Sequence, residues 1–190
     1  MAVLFKSYTE SEVPVPIETP RLILRQWRDS DREPFARMNA DPQVREFFPS
    51  LQTRAESDAT VDLLEAILQR NGFTFFAAEL RQTGEFIGFV GLGIPNFEAP
   101  FTPCVEIGWR LATPYWNQGF ATEGARASLR FGFDELGLDE IVAFTVPANI
   151  RSRRVMEKLG MTYDPAGDFD HPRIPEGHPL RPHVLYRIRR

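Results

Sequence analysis

The sequence predicts a mixed α/β sheet in a single domain. Segments of strand and helical periodicity follow one another along the chain and change at glycine and proline residues. The predicted order is a strand, helices, three strands, a helix, a strand, a helix and irregular strands up to "HVLYRI". A chain of 190 residues is near the size of one ordinary domain with a substantial core. We therefore expect a lead-in over residues 1–18 and one domain over residues 19–190.

One strand and three helices are predicted in the N-terminal part of the chain. Apolar residues alternate in "RLILRQW", as in a strand. "DSDREPFARMNA" combines capping acids with apolar residues at helical spacing, and "DPQVREFF" restarts with Asp41 as the cap and Pro42 in the first turn. A third helix is expected from about Ser57 to Arg70, and the Asn-Gly pair that follows ends it.

The remaining segments predict alternating strands and helices. "FTFFAAEL" and "FIGFVGLGI" form a hairpin through "RQTGE", and a loop bounded by Pro95 and Pro103 follows. "VEIGWRL" is the next strand, and the helix after it begins near Gly119 and ends at Gly137. "EIVAFTV" is a strand, and "SRRVMEKLG" is a short helix closed by Gly160.

Charge and composition exclude several classes of function. With 22 basic and 26 acidic side chains the net charge is -4, so we expect no nucleic-acid partner. The single cysteine, Cys104, forms no internal disulfide, which fits a reducing compartment. The chain contains neither the apolar core of a signal peptide nor an apolar run of membrane-spanning length. We expect a cytoplasmic protein without a membrane partner, and a homodimer is left open.

The stretch "WNQGFATEGARASL" points to an anion site. A strand, a short turn at Gly119 and a helix that starts there direct unpaired N–H groups and the helix dipole at one point, which attracts phosphate. Gly119 and Ala121 would let a pyrophosphate approach the main chain, whereas Gly124 and Ala125 would let the helix lie close to the sheet. Tight packing alone explains the same small residues, so this motif by itself leaves both interpretations open.

Three motifs in order, "VEIGWRL", "WNQGFATEG" and "NIRSRRVMEKLGM", resemble the GNAT superfamily of acyl-CoA-dependent N-acetyltransferases. The likeness runs from about Pro20 to the C-terminus. Within the superfamily the chain most resembles the Rim-type branch, which includes acetylases of ribosomal-protein N-termini. It implies a GNAT-type mixed, mostly antiparallel central sheet with splayed parallel strands and flanking helices.

The resemblance also implies the reaction. Acetyl-CoA would be the cosubstrate, no metal would be needed, and a primary amine of a small molecule or a protein N-terminus would attack the thioester directly. A noncatalytic acyl-CoA-binding regulatory module of the same fold is the alternative.

The resemblance assigns a cofactor site along two strands and one turn. N–H groups near the turn would hold the pyrophosphate, although Trp116 stands where the family has Arg or Gln. "GWRL" and "AFTV" would be the splayed strands that bind pantetheine, and Asn149 would bind the pantetheine arm unless it only caps the next helix. The implied cofactor-binding residues are Trp109, Leu111, Gln118, Gly119, Ala121, Thr122, Asn149 and Ser152.

Candidate catalytic residues follow from the chemistry of amine attack. An amine with a pKa near ~10.4 must lose a proton, so a base is required. Glu106 is the first candidate, with Gly108 on the same strand face leaving room for a substrate or a bridging water. Asp168 is the second, because the resemblance to the Rim-type branch implies a carboxylate in that segment. A solvated surface position explains either carboxylate equally well. An N–H near Trp109 would meet the oxyanion.

The leaving thiolate is expected to depend on Ser152. Many GNAT members have a tyrosine as general acid in the last helix, and the alignment places Met156 there, which donates no proton. Ser152 is the natural substitute, and a serine that merely caps its helix is the alternative.

Other reactive side chains are given structural roles. Cys104 is expected to pack beside a strand rather than carry the acyl group. His171, His178 and His183 have irregular spacing and no cysteine partner, so we expect them to line or close the acceptor side rather than to bind zinc.

Overall fold

Nine strands form an open sheet in the part of the chain that the structure, a computed structural model, describes, residues 16–190. Their bounds are β1 (Ile17–Glu18), β2 (Leu22–Arg25), β3 (Phe75–Leu80), β4 (Phe86–Gly93), β5 (Glu106–Leu111), β6 (Glu140–Thr145), β7 (Thr162–Tyr163), β8 (Phe169–Asp170) and β9 (Pro182–Arg189). The order across the sheet is β1-β2-β3-β4-β5-β6-β9-β7, and β8 pairs with β9. All pairs are antiparallel except β5 with β6, which confirms the predicted mixed fold.

Four α-helices flank this sheet within the described residues. They are α1 (Asp29–Asn39), α2 (Arg54–Asn71), α3 (Phe120–Arg130) and α4 (Ile150–Lys158), and α3 continues into a π-helical turn over Phe131–Glu135. None of them is long and apolar enough to cross a bilayer.

The helices bury two apolar clusters on opposite faces of the sheet. Helices α1 and α2 pack with Phe89 of β4, and α3 packs with Val90 on the other face, as strand alternation requires. A Cβ at Gly124 would lie 3.2 Å from Val90 Cγ2, so this glycine lets α3 lie close to β4. The packing interpretation of the small residues therefore holds for Gly124.

The predicted helix in "DPQVREFF" is wrong. Residues 42–47 form turns, although Asp41 does begin one helical turn, since the Gln43 N–H donates to its Oδ1 at 2.8 Å and the Arg45 N–H to its carbonyl at 3.0 Å. Phe48 precedes Pro49, which disfavours helical backbone, so the turn has no room to extend.

The N-terminal boundary lies partly outside the described residues. Ile17–Glu18 pairs with β2 as a short edge strand and so belongs to the sheet. The rest of the predicted lead-in, residues 1–15, is outside the part that the structure describes.

Candidate active site

Strands β5 and β6 form a V-shaped gap at the centre of the sheet. They share a single register pair, Glu106 with Val142, where the Val142 N–H donates to Val105 O at 3.0 Å. Toward their C-terminal ends the strands separate, and the gap widens into a cavity of about 660 Å³. The splay inferred from "GWRL" and "AFTV" is therefore present.

The β5 edge of this gap has unpaired backbone groups. The Ala112 N–H donates to Ile87 O at 3.0 Å, in register with the β4–β5 ladder. Hydrogen-bonded pairs alternate in an antiparallel ladder, so Arg110 and Gly108 are bonded to β4. The N–H and C=O groups of Trp109 and Leu111 consequently point toward the gap, where the Leu111 carbonyl already accepts from Trp116 Nε1 at 2.7 Å.

The β6 edge follows the same rule. The Arg190 N–H donates to Asp139 O at 3.1 Å, in register with the β6–β9 ladder. The backbone groups of Ala143 and Thr145 thus face β9, and those of Phe144 face the gap. Each side of the gap therefore offers main-chain donors and acceptors to an extended, amide-bearing chain.

The wide end of the gap meets the N-terminus of α3. Gly119 precedes the helix with φ +84°, a conformation that favours glycine, and the Glu123 N–H makes the first helical bond to its carbonyl at 2.9 Å. The N–H groups of Ala121 and Thr122 have no acceptor within the helix, and both residues line the cavity. The turn therefore has the geometry of an anion cradle.

Gln118 lies beside this cradle and does not line the cavity. Its side chain donates to Pro114 O at 2.7 Å, and its carbonyl accepts from Arg21 Nη1 at 3.0 Å. Arg21 also donates to Glu123 through Nε at 2.6 Å, which ties the first turn of α3 to the N-terminal strands. This contact was not predicted from the sequence because Arg21 and Glu123 are far apart in the chain.

Asn149 caps α4 and lines the cavity. Its Oδ1 accepts from the Ser152 N–H at 3.2 Å, and its Nδ2 donates to Thr145 Oγ1 at 3.0 Å. The capping role left open by the sequence is therefore real, and it holds the start of the helix against the end of β6. Ser152 is half-buried in the cavity wall, and its hydroxyl has no hydrogen-bond partner among the described residues.

Five further residues of α4 line the cavity, namely Arg151, Arg154, Val155, Met156 and Lys158. Met156 is 2% exposed, as expected for an apolar residue at the family's tyrosine position. Arg154 and Lys158 are exposed and add positive charge near the α3 cradle. The spacing of Arg154 and Lys158 in "RSRRVMEK" places both on one helix face, and the prediction from sequence did not use this signal.

Glu106 lies at the narrow end of the gap, where β5 and β6 still pair. It is half-buried, and no described residue forms a hydrogen bond or ion pair with its carboxyl group. Burial raises the pKa of this group from 4.5 to about 7. The carboxyl group can therefore exchange a proton near neutral pH.

The space expected beside Glu106 is already filled. A Cβ at Gly108 would lie 2.9 Å from Phe75 Cε1, so the missing side chain makes room for this ring rather than for a substrate or a water. The prediction about Gly108 was wrong because strand alternation identifies a shared face, whereas the neighbour on that face comes from β3.

Asp168 does not line the cavity. It is exposed, its Oδ2 accepts from Tyr163 Oη at 2.5 Å, and its Oδ1 accepts from the Leu185 N–H at 3.2 Å. These bonds tie the segment before β8 to β7 and β9. The structure thus brings Glu106 and Ser152 to the cavity and leaves Asp168 outside it.

Two of the three tail histidines line the cavity. His171 and His183 have ring centroids 5.1 Å apart, and burial lowers the pKa of His171 to about 4 and also lowers the pKa of His183. His178 is not among the lining residues. Within residues 16–190 no group of three or more His, Cys, Asp or Glu side chains could hold a metal ion.

Cys104 is half-buried, and burial together with Glu106 raises the pKa of its thiol to about 12. A thiol with such a pKa is protonated at neutral pH and is a poor nucleophile.

Eight of the catalytic and cofactor-binding residues predicted from the sequence line the cavity: Glu106, Trp109, Leu111, Gly119, Ala121, Thr122, Asn149 and Ser152. Arg110 also lines it and was missed, because alternation in "VEIGWRL" gives its strand face but not its partners.

Comparisons with known proteins agree with this geometry. The family described as "Acetyltransferase (GNAT) domain" matches residues 21–162. The uncharacterized N-acetyltransferase YnaD of Bacillus subtilis is 30% identical over 175 residues, which cover 90% of this chain and 95% of YnaD. A GNAT-family acetyltransferase from Bacillus anthracis superposes with a TM-score of 0.76 at 28% identity, over 92% of this chain and 98% of that one.

A more distant solved structure shares the fold. Mycobacterium smegmatis RimJ, solved in complex with CoA-disulfide, has a TM-score of 0.69 and 24% identity, over 88% of this chain and 81% of that one.

Proposed function

This chain belongs to the GNAT acetyltransferase family, and from that premise we propose that it transfers an acetyl group from acetyl-CoA to a primary amine by direct attack. The observation that carries the proposal is the open edge of β5 and β6, which ends at the Gly119 turn. A chain of amides fits that edge, and a pyrophosphate fits the unpaired N–H groups of α3.

Acetyl-CoA would be held by this chain's own backbone and by the side chain of Asn149. Trp109, Leu111 and Phe144 supply main-chain groups to the pantetheine amides, and Asn149 offers its remaining amide hydrogen and lone pair at the same end. Ala121 and Thr122 supply N–H groups to the pyrophosphate. The bound cosubstrate would contribute the activated thioester.

Glu106 would accept the proton from the attacking amine. An amine with a pKa of ~10.4 is mostly protonated at neutral pH, and a carboxylate with a pKa of about 7 is a stronger base than an ordinary one. The Trp109 N–H would donate a hydrogen bond to the thioester oxygen as negative charge develops there.

Ser152 would donate a hydrogen bond to the departing sulfur and so stabilise the thiolate. Its hydroxyl lies in the cavity wall without a competing partner among the described residues, and Met156 has no proton to give. Asp168 would anchor the C-terminal segment, since both of its oxygens are already bonded.

The finer assignments belong to the same proposal. We place the chain in the Rim-type branch on the sequence resemblance, because the RimJ likeness at 24% identity supports the fold alone. The acceptor would be a small molecule or a protein N-terminus, and residues 19–190 would form the acetyltransferase domain. A carboxyl group and a hydroxyl group positioned in the cavity favour catalysis over a noncatalytic acyl-CoA-binding module.

A screen for acetyl transfer tests the proposal. Purified protein, acetyl-CoA and a panel of amines, amino acids and peptides should release free CoA and give products heavier by one acetyl group. Reactions without amine measure hydrolysis. Binding of acetyl-CoA without any acetylated product would favour the noncatalytic module, and absence of binding would overturn both.

A further inference from the structure

We propose that the acceptor carries a carboxylate and that Arg110 binds it. This inference rests on the proposed acetyl transfer and adds the chemical class of the acceptor. Arg110 lies on β5 and lines the same cavity as Glu106.

The guanidinium of Arg110 is fixed in place by neutral groups. Its Nη1 donates to Asn39 Oδ1 at 2.9 Å, and Asn39, which is fully buried, donates in turn to Ser57 Oγ at 3.0 Å. The rings of Phe48 and Phe89 lie 4.2 and 5.1 Å from the guanidinium carbon. These contacts orient the guanidinium without neutralising it.

Arg110 has no anionic partner among residues 16–190. Asn39 is the only hydrogen-bond partner of its guanidinium there, and its Nε is buried and unbonded. Burial, reinforced by the neighbouring Arg45, lowers the pKa of Arg110 to about 9. A buried cation without a counter-charge costs free energy, and an acceptor carboxylate would remove that cost.

Two other arginines can be compared with Arg110: Arg25 has carboxylate partners, whereas Arg45, like Arg110, forms no ion pair with a described residue. Arg25 is buried, whereas Arg110 is half-buried, and Arg25 is bonded to Asp31 at 2.7 Å and to Glu79 at 2.6 Å. Arg45 stacks on the same Phe48 ring at 4.4 Å, and its Nε donates to the Ser50 carbonyl at 2.9 Å. Arg45 and Arg110 thus add positive potential at one end of the cavity. The Phe48 ring, which is 38% exposed, lies over both guanidinium groups there.

The position of Arg110 favours the acceptor over acetyl-CoA. Arg110 is on the face of β5 that packs toward α1 and α2, whereas the α3 cradle is on the opposite face. Glu106 shares the face of Arg110, four residues away, or roughly 13 Å along the strand. An amine at Glu106 and a carboxylate at Arg110 therefore describe an acceptor long enough to reach both positions, such as a short peptide with an acidic group.

Arginine binds carboxylates through a planar fork of N–H groups. The edge of Arg110 that carries Nε and Nη2 is free of described partners, so a carboxylate could accept from both nitrogens once the Phe48 ring shifts. A lysine would keep the charge and lose this fork.

Matched acids and amides test the proposal. β-Alanine with β-alaninamide, Ala-Ala with Ala-Ala amide, and Ala-Ala-Ala with its amide differ in their only carboxylate, and the first pair separates a free amino acid from the peptides. For the wild type, kcat/KM should be roughly ten- to hundredfold higher for each acid than for its amide, which is the range of a charge-assisted hydrogen bond. Arg110→Gln should bring the acids down to the level of the amides, and Arg110→Lys should restore part of the preference.

Controls separate this proposal from the proposed function. Arg37→Gln changes an exposed arginine of α1 and should keep the preference for acids. If the wild type acetylates nothing, calorimetry with the CoA-saturated protein decides, because acid-specific binding that is lost in folded Arg110→Gln would support the site. Equal binding and turnover of acids and amides by the wild type, or an unchanged ratio in Arg110→Gln, would overturn it.

Discussion

Glu106 and Asp168 are both carboxylates near the C-terminal half of the sheet, and their surroundings separate them. Glu106 has no described partner, and burial raises its pKa to about 7. Asp168 is exposed and holds two hydrogen bonds. The same functional group is therefore suited to proton transfer in one place and to anchoring in the other.

The pH profile of the enzyme should report Glu106. In the proposed mechanism the deprotonated carboxylate is the active form, so kcat/KM should fall as the pH drops through about 7. Glu106→Gln should lower kcat/KM by roughly 10²- to 10⁴-fold and remove this acidic limb. Initial rates from pH 5 to pH 9 measure it.

Asp168→Asn is the matched control and should keep the acidic limb. A limb that moves with Asp168 instead would transfer the base to the C-terminal segment. If neither change alters the limb, the amine loses its proton to solvent before it binds.

Ser152→Ala tests the leaving-group role and leaves the helix cap intact. The cap bond uses the Ser152 backbone N–H, not its hydroxyl. We expect kcat to fall by roughly ten- to ten-thousandfold with little change in acetyl-CoA affinity. Steady-state kinetics with calorimetry measure both, and equal turnover in the two proteins would reduce Ser152 to a structural residue.

At the scale of secondary structure, the N-terminus of α3 is shaped both by its backbone turn and by packing on the sheet. The sequence alone did not separate these two reasons for its small residues. Gly119 has φ +84°, so any other side chain there strains the backbone and obscures a binding test. Gly124 is small because Val90 lies against it. Ala121, helical and half-buried in the cavity wall, is the position that reports the ligand.

Ala121→Glu should weaken acetyl-CoA binding at least tenfold more than Ala121→Gln does. The two side chains have similar size, so the difference isolates a negative charge placed where the helix dipole and N–H groups favour an anion. Calorimetry on both folded variants measures it. Equal affinities would argue against pyrophosphate at this helix.

At the scale of the whole molecule, the proposed function depends on one break in an otherwise continuous sheet. β5 and β6 keep a single register pair and then separate, while β4–β5 and β6–β9 stay paired along six residues each. The two halves of the sheet are thus held firmly on either side of an open edge.

Hydrogen exchange should locate acetyl-CoA in this opening. The amides of Trp109, Leu111 and Phe144 point into the gap and should exchange more slowly when acetyl-CoA is bound, because they gain acceptors. Amides of β3, which is paired on both sides, serve as the internal control. Slowing that is absent from the gap and present elsewhere would contradict the proposed binding mode.

The sequence by itself determined the order of most elements and the α3 turn. Helix α2 begins near its predicted start and ends at the predicted Asn-Gly pair, and Gly119 sits at the predicted turn, because capping, periodicity and glycine conformations are local properties. The same locality explains the failed helix after Asp41, where Pro49 leaves too little chain.

Only the tertiary structure decided what surrounds each side chain. Phe75 of β3 fills the space over Gly108, and Asp168 is hydrogen-bonded to Tyr163 and to β9. Arg110 contacts Asn39 and two aromatic rings but forms no ion pair with a described residue. Pairing, burial and net charge balance arise between residues that are distant in the chain. Alternation along a strand fixes which face a residue occupies, and packing from other elements fixes whether that face holds a ring, a partner or an open cavity.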